Sequence, residues 1–395
     1  MKKTTLTAAL AMAIPTMASA AGSQANTYDF AGDWPTHHVF DDGTDLGLAL
    51  KYQYDVDRFS NDGGRLEDAQ TNRRKELGFY VKKKGVYDAT VVYDFQARTW
   101  LDTYLRVQSK GLFGKDVGAF RVGFSKTPVG FEGNTSTGAT TFLEAALPIQ
   151  AIYANRRIGV DWALEREHYL VDAGYYRGGD LNGGSDGRML AARAAWIPRN
   201  RPGDVLHFGL SASQESPEGS TDGRDVYTPP LARLHTRPEA ALADLLVDSG
   251  NLAPVEHIDR SGLEGLWIGG PWSVQGEYLR ARVSLQGRPA YAADGYYVFA
   301  SWVATGESRP YAGGNVGNIK PKGSHGALEF ALRYSELDLD DGTVAGGRER
   351  DWTLGANWYI NRHLKLQANY VHAQSDRRGL VLDPNVIEAR AQVEF

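Results

Sequence analysis

Arginine is the residue type whose placement in this sequence best indicates a chemistry. Five arginines lie beside or between segments of alternating polarity: Arg58, Arg73, Arg74, Arg233 and Arg237. A guanidinium group is planar and permanently charged, and its fork of N–H donors matches phosphate oxygens. Arginines fixed in a narrow passage of low dielectric constant would therefore attract anions. The alternative is that they only pair with carboxylates, for which Glu76, Asp94 and Glu388 are available.

The other reactive residue types form no recognisable catalytic motif. None of the nine histidines falls in an H-E-x-x-H spacing, and no Gly-rich loop follows a strand and opens a helix. His37-His38 could contribute to a metal site, but the pair alone supports none. A serine–histidine–carboxylate triad depends on space and not on order, so the sequence does not test for one. We therefore predict no enzyme activity, no cofactor and no metal.

The last nine residues indicate how the arginines are positioned. Ile387, Ala389, Ala391, Val393 and Phe395 alternate with Glu388, Arg390, Gln392 and Glu394, so one face is apolar and the other polar. Strict alternation is typical of a β-strand. A chain that ends on such a strand at an aromatic residue favours a closed β-barrel in an outer membrane, with the apolar face toward lipid.

Upstream segments repeat this pattern. Residues 352–360 and 364–370 form a predicted hairpin around the turn 361–363, and residues 328–334 alternate in the same way. We expect residues 335–351 and 373–386 to be long polar loops on the opposite side of the barrel. The spacing of the strands predicts an even number between 14 and 18.

The middle of the chain also contains short alternating segments. The longest stretch without them is 213–260, in which Thr236-Arg237-Pro238-Glu239 resembles a capping box that opens a short helix. A connection of this length is usually functional or disordered.

The amino terminus and the composition agree with an exported barrel. Lys2 and Lys3, the apolar stretch 6–14 and Ala18-Ser19-Ala20 predict a signal peptide over residues 1–20, followed by a single domain over 21–395. The chain has no cysteine and no second apolar run of membrane-spanning length, so a membrane protein of this sequence must be a barrel. The formal net charge of −5 argues against nucleic-acid binding but says nothing of the charge inside a channel.

The sequence resembles the phosphate-selective porins O and P of Gram-negative outer membranes. The segments that carry the resemblance are 295–311, Ile319-Lys320-Pro321, 328–335 and 353–371, and the similarity extends over about residues 45–395. The resemblance implies an all-β fold, a homotrimer of 16-stranded transmembrane antiparallel barrels with inward-folded loops. Each barrel would hold a channel for phosphate or polyphosphate lined by a ladder of arginines.

The resemblance also assigns roles to single residues. Arg73 and Arg74 match the paired arginines of an early strand, and Arg58 matches an arginine at the end of the first strand. By the same resemblance Arg233 and Arg237 lie in an inward loop, Asp94 matches a constriction aspartate, and Lys320 matches a basic residue near a channel mouth. One position departs from the family, because Gly138 stands where the constriction loop carries a lysine.

We therefore predict an outer-membrane diffusion channel that prefers anions, with phosphate or other oxyanions as the leading solutes. Asp94 would moderate the attraction of the arginines so that anions are released. A non-specific or weakly cation-preferring porin, a barrel hydrolase, and a closed structural barrel are the alternatives.

Overall fold

The computed structural model describes residues 36–177, 181–182 and 187–395. The predicted signal peptide, residues 1–20, lies outside the described residues. No helix in the described residues is long and apolar enough to cross a membrane.

Sixteen long strands form one antiparallel sheet. In chain order they are β1 (Thr44–Ser60), β2 (Ala69–Lys83), β3 (Tyr87–Asp94), β4 (Thr99–Gln108), β5 (Ala119–Lys126), β6 (Arg156–Glu165), β7 (Tyr169–Arg177), β8 (Gly187–Arg201), β9 (Asp204–Pro217), β10 (Val255–Gly269), β11 (Trp272–Leu285), β12 (Arg288–Val303), β13 (Ala327–Asp341), β14 (Val344–Tyr359), β15 (Leu364–Arg377) and β16 (Asn385–Glu394). Two short helices, α1 (Ser109–Phe113) and α2 (Leu147–Ile152), lie in connections. Short strands at His37–Val39 and Leu380–Leu382 pair with β1 and β15.

The sheet closes on itself through its first and last long strands. β1 pairs with β16 from Lys51 opposite Glu394 to Ser60 opposite Asn385. Closure leaves no free sheet edge, which is the condition for a sheet to satisfy its backbone hydrogen bonds in lipid. The predicted barrel of 16 strands is confirmed.

Side chains alternate between two environments along the strands. On β16, Ile387 is 60% exposed on the outer face, whereas Glu388 and Arg390 are buried on the inner face. On β16 the outer face is therefore apolar and the inner face polar, which is the reverse of a soluble protein and typical of a barrel in lipid.

Aromatic side chains mark two levels on the outer face of β11–β14. Near the end where the chain terminates at Phe395, here called the Phe395 end, Trp272 stacks on Trp302, which stacks on Phe330. Toward the opposite end, here called the loop end, Tyr296 contacts Tyr334, and Tyr334 contacts Trp352. On β12 the two levels are six residues apart, about 20 Å along the strand, which suits an apolar band between two interfaces.

Several predicted connections are wrong in their bounds. Residues 335–341 and 344–351 continue β13 and β14, and only residues 342–343 join them. The connection predicted at 373–386 shrinks in the same way, because β15 continues to Arg377. The expected helix after Thr236 is also absent, since His235–Thr236 pairs as a short strand with Val247–Asp248. These strands extend beyond the apolar band, and their outer faces carry charged residues there. The sequence of these strand ends therefore resembles that of polar loops.

Among the connections that the structure describes in full, three fold into the barrel. The 127–155 loop and the 218–254 loop enter from the loop end, and the 304–326 connection enters from the Phe395 end. The first and third meet where Thr135 Oγ1 donates to Asn315 Oδ1 at 2.7 Å. α2 of the 127–155 loop packs its apolar side chains in the largest buried cluster, against inner-face residues of β11, β12 and β13.

Arg333 of β13 is fully buried and fastens the two loops that enter from the loop end. Its Nε donates to Glu239 of the 218–254 loop at 2.9 Å, and its Nη2 donates to the carbonyl oxygen of Glu144 in the 127–155 loop at 3.1 Å. The guanidinium also lies 4.2 Å from the ring centroid of Phe142. Removing one partner of such a pair would leave the other charge buried and uncompensated.

The apolar band on the outer face predicts how a charge placed there changes the stability of the barrel. Val298 lies on the outer face of β12 between the two aromatic levels. We expect Val298→Arg to lower the free energy of unfolding by about 2–4 kcal/mol, because the charge would sit in hydrocarbon. Urea unfolding in phospholipid vesicles measures the change. Val381→Arg, at an exposed site near the loop end, is the control and should cost less than about 1 kcal/mol; equal costs would contradict this placement of the band.

Candidate functional site

A β-bulge directs two consecutive arginines to the same face of the wall. The register of β1 and β2 shifts between Gln53, which faces Arg74, and Tyr54, which faces Asn72, so Arg73 is the extra residue. In a regular strand, neighbouring side chains point to opposite faces, and a bulge relaxes that rule. Arg73 consequently reaches Glu144 of the 127–155 loop, and Arg74 reaches Glu76 on the inner face of the wall.

Glu144 of the 127–155 loop joins these arginines to the far strand of the closure. Arg73 binds it in a bidentate manner, with Nε–Oε1 2.9 Å and Nη2–Oε2 3.0 Å. Arg390 of β16 donates to Glu144 Oε1 at 2.9 Å and makes two 2.7 Å hydrogen bonds to Asp55. The loop is thus held against the inner wall by charge-assisted hydrogen bonds, which are among the strongest in proteins.

The same arginines determine the protonation of Glu144. Burial raises the pKa of Glu144, but the charges of Arg73 and Arg390 outweigh it and lower the pKa from 4.5 to about 2. The carboxylate therefore remains charged at neutral pH and keeps both guanidinium groups oriented.

A cavity of about 690 Å³ separates the 127–155 loop from the inner wall. Its lining includes six cationic side chains: Lys51, Arg74, Arg121, Lys126, Arg156 and Arg390. It also includes five carboxylates: Glu76, Asp102, Glu132, Glu144 and Glu394. Cations and carboxylates therefore share the lining, with one cation in excess.

The cations in this cavity are not equally neutralised. Arg156 makes a bidentate pair with Asp102, at 2.9 and 3.1 Å, and Arg121 pairs with Asp161 at 2.8 Å. Lys126 instead donates to the carbonyl oxygen of Thr135 at 2.6 Å and makes no salt bridge within the described part of the chain. Lys126 is therefore the cation whose charge is least compensated.

The tip of the 127–155 loop explains the departure at Gly138. A Cβ at Gly138 would lie 1.8 Å from Glu394 Oε2, so Glu394 occupies the space of a side chain there. Two wall lysines hold this tip: Lys365 donates to the backbone carbonyl oxygen of Thr140 at 2.8 Å, and Lys51 donates to the side-chain Oγ1 of Thr137 at 3.2 Å. Two lysines of the wall thus lie beside the loop position at which the resemblance led us to expect a lysine.

Arg58 does not join this cluster, and its predicted place on the inner wall is wrong. It lies on the outer face of β1 opposite Ile387, and its nearest carboxylate is Asp68 at 3.6 Å. Asp55 and Asp57 occupy the inner face there, so the alternation places Arg58 outside.

Asp94 is buried, and it makes no salt bridge with Arg73 or Arg74 within the described residues. Its Oδ1 accepts from the backbone N–H groups of Lys75, Gln96 and Ala97 at 3.1, 2.8 and 3.3 Å. The carboxylate therefore stabilises the turn after β3. The moderating carboxylates near Arg73 and Arg74 are Glu144 and Glu76.

The remaining predicted residues lie toward the two ends of the barrel. Arg233 and Arg237 belong to the 218–254 loop, as expected. Arg233 makes a bidentate pair with Asp248, at 2.8 and 2.6 Å, and this pair lowers the pKa of Asp248 well below its usual range. Arg237 donates from Nε to the carbonyl oxygen of Ala243 at 2.7 Å. Lys320 is exposed in the 304–326 connection. None of these three lines the 690 Å³ cavity.

Several cavity residues were not singled out from the sequence. They are Lys51, Arg121, Lys126, Arg156 and Arg390. Arg390 could have been found, because it stands on the polar face of the final strand. Arg121 and Arg156 carry no comparable signal, because β5 and β6 are short and glycine-containing and alternate less clearly.

The chemistry of this lining is that of reversible ion binding. Within residues 36–177, 181–182 and 187–395, no group of His, Cys, Asp and Glu side chains is arranged to hold a metal ion. Guanidinium and ammonium groups such as those that line this cavity can attract and release oxyanions without forming a covalent bond.

The pKa of Glu144 predicts how the loop contact depends on pH. A group whose pKa is lower in the folded than in the unfolded state stabilises the fold above the unfolded value and loses this effect as pH falls through the folded value. We expect the difference in unfolding free energy between wild type and Glu144→Gln to be largest above pH 4.5, to shrink as pH falls toward 2, and to vanish below about pH 2. Urea titrations in vesicles across this range measure it. A difference independent of pH would contradict the assigned ion pairs; Glu336→Gln, on the outer face, is the control.

Comparisons of sequence place the chain in a family. The model of a family described as phosphate-selective porin O and P matches residues 46–395. Porin O of Pseudomonas aeruginosa is 29% identical over 248 residues, which cover 53% of this chain and 54% of that protein. An uncharacterized protein of Caulobacter vibrioides is 28% identical over 257 residues, which cover 59% of this chain and 50% of that protein. The chain therefore spans about half the length of these curated relatives.

Comparisons of structure support the fold. The anion-selective porin from Comamonas acidovorans covers 89% of this chain over its whole length, with a TM-score of 0.57 and 13% identity. The channel DcaP of Acinetobacter baumannii covers 91% of this chain with 99% of its own, at a TM-score of 0.54 and 10% identity. OmpT of Vibrio cholerae in a trimer form covers 89% of this chain with 99% of its own chain, at a TM-score of 0.53 and 11% identity.

These similarities point to a channel of the Gram-negative outer membrane and not to an enzyme. The chain belongs to the phosphate-selective porin O and P family.

Proposed function

We propose that this porin passes small anions, with phosphate or other oxyanions as the main solutes, along the cavity beside the 127–155 loop. The observation that carries the proposal is the bulge in β2, which brings Arg73 and Arg74 to the inner wall beside Arg390. Lys51 and Lys126 extend this cationic group toward the loop tip. The forked guanidinium groups suit phosphate oxygens.

The carboxylates of the cavity keep the attraction moderate. A channel must bind an ion strongly enough to admit it and weakly enough to release it. Glu76 contacts both Lys51, at 3.2 Å, and Arg74, at 3.4 Å, and so shares its charge between them. An entering anion would compete with Glu76 for these two cations. It would therefore bind less strongly than to a cation that has no carboxylate partner.

Arg233, Arg237 and Lys320 fit this proposal as outer members of the path. They lie in connections toward the ends of the barrel, where cations would raise the local concentration of anions. Arg58 is left out because it lies on the outer face. Two relatives agree in their names with this selectivity, since one is the Porin O of a family described as phosphate-selective and another is an anion-selective porin.

A weakly cation-preferring pore is the second candidate, and one observation favours it. Asp57, Glu349 and Asp351 are buried on the inner wall, and both carboxylate oxygens of Glu349 and of Asp351 have no hydrogen-bond partner within the described residues. Carboxylates in this state would attract cations or protons at the loop end of the barrel. The balance between this group and the arginines would set the sign of the selectivity.

We also propose that the protein assembles as a homotrimer. The trimer form of OmpT among the structural relatives supports this assembly. On this proposal, light scattering of the detergent-solubilised protein would give three times the protomer mass.

The arginine path predicts a difference between two neighbouring variants. We expect Arg74→Ala to reduce the anion-over-cation permeability ratio about five-fold, since the loss of one charge near the path removes about 1 kcal/mol of attraction in water. Zero-current potentials in planar bilayers measure the ratio. Arg58→Ala, which removes an arginine from the outer face, is the matched control and should leave it unchanged. An unaltered ratio in Arg74→Ala would remove this residue from the path.

The loop tip generates a second prediction. Gly138→Lys alone should change selectivity little, because Glu394 adjoins this position and would pair with the added ammonium group. Gly138→Lys combined with Glu394→Gln should raise the anion preference above that of wild type, since the new charge is then uncompensated. Glu394→Gln alone is the control for the loss of the carboxylate. A double variant no more anion-selective than this control would show that the tip does not face the path.

A further inference from the structure

A group of buried carboxylates lies where the 218–254 loop covers the inner wall. Glu349 and Asp351 occupy consecutive inward-facing positions of β14, about 7 Å apart along the strand, and both are fully buried. Glu239 of the loop is fully buried as well. It accepts a hydrogen bond from Thr353, the next inward-facing residue of β14. Three carboxylates from the wall and the loop therefore share one covered region.

These carboxylates lack the hydrogen bonds that stabilise a buried charge. Within the described residues, neither oxygen of Glu349 and neither oxygen of Asp351 has a hydrogen-bond partner. The Oε1 atom of Glu239 has none either, whereas its Oε2 atom accepts from Arg333 and Thr353. Burying a carboxylate without donors is costly when it is charged and much less costly when it is protonated. Glu349 and Asp351 are therefore suited to this covered position as neutral acids.

The charged groups nearby do not balance these carboxylates. Among the described residues, Arg333 is the one cation in contact with the group, and it donates both to Glu239 at 2.9 Å and to Glu132 at 3.5 Å. The other charged groups of the adjoining strands and loop add acid or are bound elsewhere: Glu388 faces Asp57 across β16 and β1, Arg377 and Arg233 bind Asp248, Arg237 binds the carbonyl oxygen of Ala243, and Arg390 binds Asp55 and Glu144. Ionisation of Glu349 and Asp351 would therefore place uncompensated negative charge under the loop.

The contact that seats the loop on the wall is small and includes a strained residue. Ala240 of the loop packs in one apolar cluster with Val371 of β15 and Val386 of β16. Glu239 has a φ of 46°, in the left-handed region that residues other than glycine rarely adopt. Its hydrogen bond with Arg333 holds this backbone in place. Unpartnered charges beneath such a seat can displace it, because they must be hydrated.

We propose that protons control the position of the 218–254 loop. With Glu349 and Asp351 protonated, the loop lies on the inner wall, as in this structure. With both ionised, they repel each other and Glu239 and require water, so the loop moves away from β14. Trp352, beside Asp351 on the outer face, belongs to the loop-end aromatic level, so this movement would widen the loop-end mouth of the barrel. The channel would then be narrower in acid than at alkaline pH.

The position of the loop can be measured with spin labels because the chain contains no cysteine. Leu231 in the loop and Val381 beside β15 are both exposed, so Leu231→Cys/Val381→Cys accepts one nitroxide at each site. Double electron–electron resonance of this labelled protein in phospholipid vesicles should give one narrow distance at pH 4 and a longer or broader distribution at pH 9. The same distribution at both pH values would overturn the proposal.

Neutral variants test whether these two carboxylates are the groups that titrate. Glu349→Gln/Asp351→Asn, made in the labelled protein, keeps the size of both side chains and removes their charge. We expect it to give the narrow distance at both pH values, and a full pH response in this variant would overturn the assignment. Glu336→Gln/Asp338→Asn, on the outer face of the neighbouring β13, is the matched control and should respond to pH as the labelled wild type does. If the inner-wall variant does not fold, the wild-type comparison still tests the proposal.

Single-channel conductance in KCl connects the loop to the pore. Wild type should conduct less at pH 4 than at pH 9, and Glu349→Gln/Asp351→Asn should keep the lower conductance at both. A change of label distance without a change of conductance would contradict the narrowing of the mouth. The inference rests on the proposed function only in treating the barrel interior as an ion passage. The sign of the zero-current potential tests the anion path and the label distances test the loop, so either can fail without the other.

Discussion

The pairing of β1 with β16 is the constraint on which the rest of this structure depends. A sheet in lipid must satisfy every backbone hydrogen bond internally, and closure of the barrel meets that requirement. Closure also divides the side chains by position, because successive residues of a strand point to lipid and to the interior in turn. Polar and charged residues therefore gather inside, where the 127–155 loop, the 218–254 loop and the 304–326 connection can pair with them.

Buried ion pairs then determine the shape of the interior. Glu144 is held by Arg73 and Arg390, and Arg333 joins the 127–155 loop to the 218–254 loop. These contacts anchor the 127–155 loop to β2, β13 and β16, and the cavity lies between this loop and the inner wall. The same residues would attract anions, so in this account the anchoring of the loops and the proposed selectivity depend on one set of charges.

The sequence predicted the barrel because period two is a strong signal where one face meets lipid. It did not predict the ends of β13 and β14, since charged outer-face residues beyond the apolar band resemble a loop. The inward direction of both Arg73 and Arg74 depends on a bulge, which is a property of strand register and cannot be read from one strand. The prediction for Arg58 was wrong for a simpler reason. Arg58 is one residue after Asp57 in an alternating strand, so it must point to the face opposite that of Asp55 and Asp57. The contacts of Asp94 depend on the turn that follows it, and a residue pattern does not show where the backbone amides of that turn lie.

The central claim is that cations of the inner wall dominate the carboxylates and make the pore anion-selective. The most direct test is the zero-current potential of the reconstituted protein across a planar bilayer under a KCl gradient, repeated with phosphate added. We expect an anion-selective potential and a chloride current that phosphate reduces. A cation-selective potential would show that Asp57, Glu349 and Asp351 outweigh the arginines, and it would contradict the account.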